Sequence, residues 1–311
     1  MTTMSKINKL PINGILLINK PIGLSSNAVL QRAKHLFNAK KAGHTGSLDP
    51  LATGMLPICF GEATKVCQYL LDDDKSYIAT GMLGVKTTTG DSEGEIISEI
   101  ADFTISDVSL LSAIEQFIGV IHQIPSMYSA LKHNGSPLYK LARQGISIER
   151  PAREIVIHSI QLLDFDGKNF TIKVSCSKGT YIRNLVEDIG DSLGVSAHVT
   201  QLHRLFTAGF DDEKMYTLDE LYAMDSSSLA SCLLPLERAI DYMPVINLDD
   251  AELSQLRQGK VLANKIGVPG IVRIHNTSGS FLGLGEWELP DVLKVKRLLA
   301  FDQNIIAQII N

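Results

Sequence analysis

Residues 43–54 read GHTGSLDPLATG and place Asp49 between glycines and directly before Pro50. Gly43 and Gly46 allow positive φ and close backbone approach, so the stretch predicts a turn-rich loop. Pro50 disfavours the α region at Asp49 and pushes that residue into an extended conformation. The two constraints hold a carboxylate on a rigid loop. An ordinary Asx-type turn has the same signature, and the stretch alone leaves that alternative open.

The composition indicates a protein without a membrane anchor, a disulfide framework or a bound metal. Of the 311 residues, 45% are hydrophobic and 20% are charged, which is ordinary for a soluble globular chain. The apolar runs are far shorter than a membrane span, and no apolar signal core stands at the N-terminus. The four cysteines and eight histidines show no metal-ligand spacing. We therefore expect buried thiols in a cytoplasmic protein.

Charge is distributed unevenly along the chain, although the formal net charge is only −5. Residues 1–70 carry eight Lys/Arg against two acidic residues, whereas residues 71–115 carry ten acidic residues against two lysines. A second basic segment, residues 132–153, has five Lys/Arg against Glu149 alone. This asymmetry is typical of one polyanion-binding face with an acidic surface elsewhere. Two solvated faces of opposite sign would produce the same pattern.

Strands and helices are interleaved along the chain without clean βαβ order, which indicates mixed α and β structure. GILLINKPIG (residues 14–23) predicts a buried strand, and Ser25 or Ser26 then caps a helix. Residues 62–71 and 106–119 are predicted to be helical. A further helix is expected from Thr180 to its stop at Gly194.

Two segments differ in character from the rest of the chain. Residues 124–153 lack a clean period and are rich in Lys, Arg, Tyr and Gly, so we expect a basic loop with one helix near residues 138–143. After Pro244, short strands punctuated by glycine predict a small β-rich unit. The sequence therefore predicts two domains, residues 1–243 and residues 244–311.

Asp49 has three open interpretations from the residues alone: a nucleophile, a general base or a turn former. A nucleophilic carboxylate must stay ionised, and a guanidinium partner favours the charged form. Arg183 is a candidate partner because it falls in the first turn of its helix, where the dipole disfavours a cation. The alternative is a local i,i+4 pair between Arg183 and Glu187.

Three other residues have a functional and an ordinary interpretation each. Tyr77 opens a strand and is either a core aromatic or a platform for a base or sugar ring. His44 is a loop histidine bonded to backbone or a contact to a ligand. Lys20, before Pro21, either extends its ammonium group to solvent or binds phosphate.

Five segments, taken together and in this order, resemble the bacterial TruB family of tRNA pseudouridine synthases, which act on the T-loop uridine at position 55. They are GILLINKPIGLSSN (14–27), GHTGSLDPLATGMLPICFGEATK (43–65), DKSYIATGMLGVKTTTGDSEG (74–94), QIPSMYSALKHNGSPLYKLARQG (123–145) and VSCSKGTYIRNLVEDIGDSLG (174–194). The tail from Pro244 resembles the family's small PUA-type RNA-binding domain. The resemblance implies an α+β catalytic domain with a mixed, mainly antiparallel sheet flanked by helices.

The resemblance also implies roles for individual residues. Asp49 is then the catalytic carboxylate that attacks a flipped-out uridine, and Arg183 is its partner. Tyr77 stacks on the flipped base and assists proton removal at C5. His44 fills the space that the extruded nucleotides leave in the T loop, and Lys20 shapes the floor of the pocket.

Further expectations concern the RNA, cofactors and assembly. The basic segment 124–153 clamps the T-stem loop of tRNA, and additional RNA contacts are expected from a set of residues spread along the chain: Gly43, Gly46, Lys65, Tyr181, Lys132 and Arg143. The reaction needs no redox group, metal or ATP, so we expect no cofactor, and we expect a monomer.

Three positions depart from the family pattern. Ser47 stands where threonine is commoner, and Ser126 replaces the second proline of a Pro-Pro pair; both changes concern loop stiffness. His203 stands where arginine is frequent, which puts one RNA contact in doubt.

Two further classes of function were weighed. A non-catalytic RNA-binding or tRNA-folding protein would use the same basic face, and Asp49, Tyr77 and Arg183 argue against it. A glycosidase or nucleoside hydrolase usually needs a second carboxylate, and residues 43–54 supply only one.

Overall fold

The structure is a computed structural model that describes residues 9–71, 73–207, 209–263, 267–289 and 291–299. Twelve strands precede residue 208 among these residues: β1 (Gly14–Lys20), β2 (Ala42–His44), β3 (Thr53–Phe60), β4 (Lys75–Leu83), β5 (Val85–Thr87), β6 (Ile96–Glu99), β7 (Gly119–Gln123), β8 (Lys132–His133), β9 (Ser136–Pro137), β10 (Arg153–Phe165), β11 (Asn169–Cys176) and β12 (Ala197–Thr207). The later strands are β13 (Val245–Leu248), β14 (Leu262–Ala263), β15 (Gly270–Asn276), β16 (Phe281–Leu289) and β17 (Val292–Leu298).

Helices lie between these strands. They are α1 (Ser26–Leu36), α2 (Cys67–Leu71), α3 (Asp107–Glu115), α4 (Leu138–Ala142), α5 (Ile182–Ser192), α6 (Leu218–Tyr222), α7 (Ser226–Ser231) and α8 (Asp250–Arg257), with 3₁₀ helices at Gly61–Lys65 and Leu236–Ile240. No helix among the described residues is long and apolar enough to cross a membrane.

A mixed, mainly antiparallel sheet forms the larger part of the molecule, which confirms the predicted fold class. Its strand order is β1-β3-β12-β4-β11-β10-β7, with β2 attached to β3. The β3–β12 pair is parallel, and the other pairs are antiparallel. A separate five-stranded sheet, β13-β15-β16-β17-β14, gives the β-rich C-terminal part.

Local sequence explains several of these elements. Side chains on one face of β11, at Phe170, Ile172 and Val174, are fully buried, as their alternation predicts. Helix α1 begins after Ser25, whose hydroxyl accepts a hydrogen bond from the Ala28 backbone amide. The predicted burial pattern of β11 and the predicted serine cap of α1 are therefore confirmed.

Three predicted helices differ in extent. The predicted helix 62–71 is instead divided between the 3₁₀ helix Gly61–Lys65 and the short α2. Helix α3 ends at Glu115 because strand β7 begins at Gly119, where φ is +102°. Helix α5 begins at Ile182, since the Thr180 hydroxyl donates to the Ser177 carbonyl at 2.9 Å and does not cap the helix.

The sheet brings distant parts of the chain to one place. Strand β12 lies between β3 and β4, so Arg204 of β12 pairs with Gly54 on one side and with Tyr77 on the other. The loop that carries Asp49 lies between β2 and β3. The candidate site therefore forms at the ends of the central strands, beside the first turn of α5.

Candidate active site

Asp49 and Arg183, which are 134 positions apart in the sequence, form an ion pair. Nε of Arg183 lies 3.1 Å from Oδ2 of Asp49. The arginine side chain is 6% exposed, whereas the aspartate side chain is 41% exposed. The pair therefore has a fixed, buried cation and a carboxylate that an incoming molecule can reach. The local alternative, a pair between Arg183 and Glu187, is wrong.

Arg183 is held by three more acceptors. Nη1 donates to Oδ2 of Asp91 at 3.2 Å and to the Thr89 carbonyl at 2.8 Å, and Nη2 donates to the Tyr128 carbonyl at 2.8 Å. Such a planar, multiply bonded guanidinium has little freedom to rotate. The contacts fix the direction from which Arg183 meets Asp49.

Asp91 is a buried carboxylate that sequence analysis did not single out. Its Oδ1 accepts hydrogen bonds from the Thr89 hydroxyl at 2.6 Å and from the Glu93 amide at 3.1 Å. Its side chain is 3% exposed. The only signal in the sequence was its place in a glycine-flanked turn, which does not reveal a partner 92 residues away.

The loop around Asp49 is bonded to the neighbouring strand and helix. The Ser26 hydroxyl accepts from the Leu48 amide at 2.7 Å and donates to the Leu48 carbonyl at 2.9 Å. The Pro50 carbonyl accepts from the Gly23 amide at 2.8 Å and from Lys20 Nζ at 3.3 Å. These bonds on both sides of Asp49 confirm that the carboxylate stands on a braced loop.

Surroundings shift the proton equilibria of the charged groups. Burial in the surrounding protein raises the pKa of the Asp49 carboxyl, and the Arg183 guanidinium opposes that rise. Burial lowers the pKa of Lys20 to about 8, against the attraction of Asp49 and Glu93. Arg183 therefore favours the ionised state that a nucleophilic carboxylate needs.

Replacing Lys20 with methionine is expected to remove a pH-dependent part of the stability. The Lys20 pKa is about 8 in the folded protein and has its ordinary value of 10.5 when the chain is unfolded, so the unfolded chain binds the proton more tightly. The free energy of unfolding therefore rises between these two pH values, by about 3 kcal/mol from this group. Urea unfolding of the wild type and of Lys20→Met across that pH range measures this difference. The same pH dependence of the free energy of unfolding in both proteins would contradict the prediction.

The glycines of residues 43–54 have different reasons to be glycine. Gly46 and Gly54 have φ of +66° and +98°, whereas Gly43 has no positive φ, so that expectation is wrong for Gly43. A Cβ at Gly54 would lie 2.2 Å from the Arg204 carbonyl oxygen, and one at Gly46 would lie 3.0 Å from Arg204 Nη1. Both glycines therefore accommodate Arg204.

Alanine substitution separates these roles. Gly54→Ala is expected to lower the free energy of unfolding by at least about 3 kcal/mol, because its Cβ would overlap backbone and its φ is strained. Gly43→Ala is the matched control, since its nearest neighbour would be Thr64 Cγ2 at 3.8 Å, and we expect a change within about 0.5 kcal/mol. Urea denaturation measures both, and equal losses would contradict the assignment.

Tyr77 and His44 both lie beside Arg204. Tyr77 is 7% exposed and is paired with Arg204 across strands β4 and β12. Burial raises the Tyr77 pKa more than Arg204 lowers it. Burial and Arg204 lower the His44 pKa, so the imidazole is neutral at pH 7, and its Nδ1 has no partner among the described residues.

A cavity of about 450 Å³ opens over Asp49. Four of the residues predicted from the sequence line it: Asp49, Arg183, His44 and Arg143. The other predicted residues are all described, and none of them is part of its lining: Lys20, Tyr77, Gly43, Gly46, Lys65, Tyr181 and Lys132.

The remaining predicted RNA contacts lie in different environments. Lys65 pairs with Glu62 in the 3₁₀ helix, and the backbone of Tyr181 exchanges hydrogen bonds with the Gln123 side chain. Lys132 is exposed on β8. His203 Nδ1 is 2.8 Å from the Thr53 hydroxyl, so this departure from the family pattern has a partner within the protein.

The cavity contains more carboxylates than residues 43–54 supply. Asp91 and Glu93 line it together with Asp49, because the turn after β5 lies against the Asp49 loop. The shortage of carboxylates is therefore not an argument against a glycosidase. In the described part of the chain, no cluster of three or more His, Cys, Asp or Glu residues could hold a metal ion.

Known proteins identify the class to which this fold and site belong. Residues 34–182 match the profile described as TruB family pseudouridylate synthase (N terminal domain). Residues 183–241 match the tRNA pseudouridylate synthase B C-terminal domain, and residues 244–299 match Pseudouridine synthase II TruB, C-terminal. The class is that of the pseudouridylate synthases.

Full-length relatives then give the family. The chain is 57% identical over 303 residues to tRNA pseudouridine synthase B of Legionella pneumophila (strain Corby), covering 97% of this chain and 99% of the relative. It is 48% identical over 290 residues to tRNA pseudouridine synthase B of Coxiella burnetii (strain RSA 331 / Henzerling II), covering 92% and 94%. The chain belongs to the TruB family of pseudouridylate synthases.

Solved structures share the fold. A Cbf5-Nop10-Gar1 complex matches with a TM-score of 0.69 and 23% identity over 94% of this chain and 92% of the other. An H/ACA RNP bound to a substrate RNA containing 2'-deoxyuridine matches with the same TM-score and identity, over 92% and 84%. At this identity the likeness concerns the fold alone.

Proposed function

We propose that the protein isomerises uridine 55 in the T loop of tRNA to pseudouridine, with Asp49 as the nucleophile. The observation that carries the proposal is the half-exposed Asp49 carboxylate, paired at 3.1 Å with the buried Arg183 at a cavity. The substrate follows from the relatives, whose printed names specify tRNA.

The chemistry requires few groups. The carboxylate attacks the nucleoside at base C6 or sugar C1′, and the N-glycosidic bond breaks. The detached base then rotates and rejoins the sugar through C5, the bond to Asp49 breaks and restores the carboxylate, and the C5 proton is removed while N1 takes up a proton. This sequence needs an ionised nucleophile, a surface on which the base can stack, and assistance to the C5 proton, for which Tyr77 is proposed.

A base inside a folded T loop cannot reach Asp49, so the nucleotide is flipped out, at a cost of a few kcal/mol. The neutral, partly buried His44 lines the cavity and has an unpartnered Nδ1. These features support its proposed role in filling the space that the flipped nucleotides leave. Tyr77 is proposed to stack on the base. Lys20 is proposed to support the Asp49 loop through its hydrogen bond to the Pro50 carbonyl.

The rest of the RNA surface is proposed from charge and position. Arg143 lines the cavity and Lys132 is exposed in the same basic segment, 124–153, which is proposed to clamp the T-stem loop. The five-stranded sheet from Val245 onward has its own buried cluster. This supports a division at residue 243 and a PUA-like RNA-binding domain after it, in a protein that works in the cytoplasm.

Binding to tRNA is expected to weaken steeply with salt. Each phosphate contact by Lys or Arg releases condensed counterions, so affinity falls with a slope of roughly 0.7–0.9 per contact on logarithmic axes. Lys132→Ala is expected to reduce that slope by about one, while Lys214→Ala, an exposed lysine paired with Glu220, leaves it unchanged. Filter binding over a series of salt concentrations measures the slopes. An affinity that does not change with salt would contradict the proposed phosphate-binding face.

A single incubation tests the proposed substrate. Unmodified tRNA transcript and the same transcript with cytidine at position 55 are incubated with the protein, and nucleosides are quantified after digestion. We expect one pseudouridine per transcript with uridine 55 and none with cytidine 55. Equal yields from both transcripts would contradict the proposed target position, and released uracil would indicate a hydrolase.

A non-catalytic tRNA-folding protein is the second candidate. The same basic segment and C-terminal domain would serve it, so folding assistance is compatible with catalysis. The Asp49–Arg183 pair at a cavity favours the enzyme, because binding alone does not need a carboxylate facing a polyanion.

A further inference from the structure

Arg204 is a cation buried beneath the candidate site. It is 1% exposed and is the largest fully buried side chain among the described residues. Nε donates to the Met55 carbonyl at 2.7 Å, and Nη2 donates to the Gly46 carbonyl at 2.9 Å. Both acceptors are backbone carbonyls rather than carboxylates. Burying a charge is costly, so the position of this guanidinium needs an explanation beyond packing.

The guanidinium lies between two separately encoded parts of the site. Gly46, whose carbonyl accepts from Nη2, lies three residues before Asp49 on the same loop. Tyr77 is paired with Arg204 across the neighbouring strand β4, and the guanidinium charge acts on its phenol. A planar group with donors in fixed directions sets the positions of its acceptors. Arg204 therefore ties the Asp49 loop to the strand position opposite Tyr77.

The Asp49 loop leaves room for this side chain at one glycine. Gly46 has a φ of +66°, and a Cβ there would lie 3.0 Å from Arg204 Nη1. A Cβ at Gly54 would instead meet the backbone of residue 204, 2.2 Å from its carbonyl oxygen, so Gly54 serves the close approach of β3 and β12 whatever the side chain. The fit to the guanidinium therefore lies at Gly46.

Arg204 also acts on the neighbouring titratable groups. Its charge contributes to the lowered pKa of His44 and of Lys75, and it opposes the rise that burial causes in the Tyr77 pKa. The guanidinium thus helps to keep His44 neutral. Its removal would change the electrostatics of the site as well as its shape.

We propose that Arg204 is a positioning residue, which holds the Asp49 loop and the Tyr77 phenol in the single arrangement that the chemical step requires. The inference rests on the proposed function, because Tyr77 is taken to face the uracil base. Arg204 does not line the cavity, so it acts through these two partners. Its replacement is therefore expected to leave the RNA-binding surface intact.

The test compares Arg204→Lys with Arg273→Lys. Arg273 also donates to a backbone carbonyl, that of Met243 at 2.8 Å, and its side chain is 15% exposed in the C-terminal domain. Single-turnover rate with saturating enzyme, tRNA affinity and thermal midpoint are measured for both. We expect Arg204→Lys to lose roughly 100-fold in rate, with affinity unchanged within about threefold. Arg273→Lys should keep the wild-type rate.

A mutant cycle with Tyr77→Phe shows whether Arg204 acts through the phenol. We expect the rate penalty of Arg204→Lys to be at least about threefold smaller when the Tyr77 hydroxyl is absent, because coupled positions are not additive. Full additivity, or a wild-type rate in Arg204→Lys, would overturn the proposal. So would a loss explained entirely by weaker tRNA binding or by the unfolded fraction.

A second variant covers the case in which Arg204→Lys does not fold. Gly46→Ala leaves the guanidinium in place and presses a methyl group against Nη1. We expect a loss of rate in the folded protein at saturating enzyme that exceeds any loss of tRNA affinity, and a wild-type rate would overturn the proposal. Failure of the proposed function is distinct from either result, since the wild type itself would then form no pseudouridine.

Discussion

Asp49→Asn is expected to abolish pseudouridine formation, with a loss of at least about 10⁴-fold in single-turnover rate, as for removal of other nucleophiles. Asparagine has nearly the same shape but carries no charge, so it cannot attack the nucleoside. Arg183 keeps its other acceptors, Asp91 and the carbonyls of Thr89 and Tyr128. The variant should therefore fold and bind tRNA.

The control for this prediction is a carboxylate that is paired elsewhere. Asp241→Asn removes a partner of Arg238 that does not line the cavity over Asp49, and it should leave the rate unchanged. Single-turnover rates at saturating enzyme, with tRNA affinity measured in parallel, separate chemistry from binding. Residual activity of Asp49→Asn within about tenfold of the wild type would rule out nucleophilic attack by Asp49.

Arg183→Lys is expected to reduce the single-turnover rate by roughly 10²- to 10³-fold, although the positive charge is retained. The guanidinium meets two carboxylates and two carbonyls at once. An ammonium group has three donors around one point and cannot span these acceptors. The geometry of Asp49 is then lost, and the buried Asp91 loses its partner, which destabilises the fold by about 3 kcal/mol.

The pH dependence of this variant has a definite sign. Arg183 lowers the Asp49 pKa against the effect of burial, so a weaker interaction raises it. Because the ionised carboxylate reacts, activity falls as the pH drops through this pKa. The acidic limb of the rate profile should therefore lie at higher pH in Arg183→Lys than in the wild type. An acidic limb at the same pH in both proteins would contradict the direct pairing of Arg183 with Asp49. The control variant Arg238→Lys should change neither the rate nor the position of the acidic limb.

Much of the site could be predicted from sequence because its determinants are local. Pro50 restricts the backbone angles of Asp49, and the glycines around it allow positive φ, whatever the rest of the chain does; the loop has the braced form expected. Arg183 falls in the first turn of a helix, where the dipole disfavours a cation, which made a distant acid a candidate beside the local alternative, Glu187. The alternating pattern of β11 and the cap of α1 are likewise short-range features.

The remaining parts depend on contacts that sequence spacing does not encode. Carbonyl oxygens of Thr89 and Tyr128 hold Arg183, and every residue type has such an oxygen. Asp91 reaches the site only because the turn after β5 lies against the Asp49 loop. Arg204 sits in a strand with the alternation of an ordinary half-buried β segment, so its full burial follows from the position of β12 between β3 and β4.

One carboxylate, Asp49, is proposed to isomerise one uridine of tRNA. The most direct test is a primer-extension map of carbodiimide-treated tRNA transcript after incubation with the wild type or with Asp49→Asn, without added cofactor. We predict a single stop that reports T-loop uridine 55 with the wild type and no stop with Asp49→Asn, which still binds the transcript. A stop at position 55 of equal strength with both proteins would contradict it.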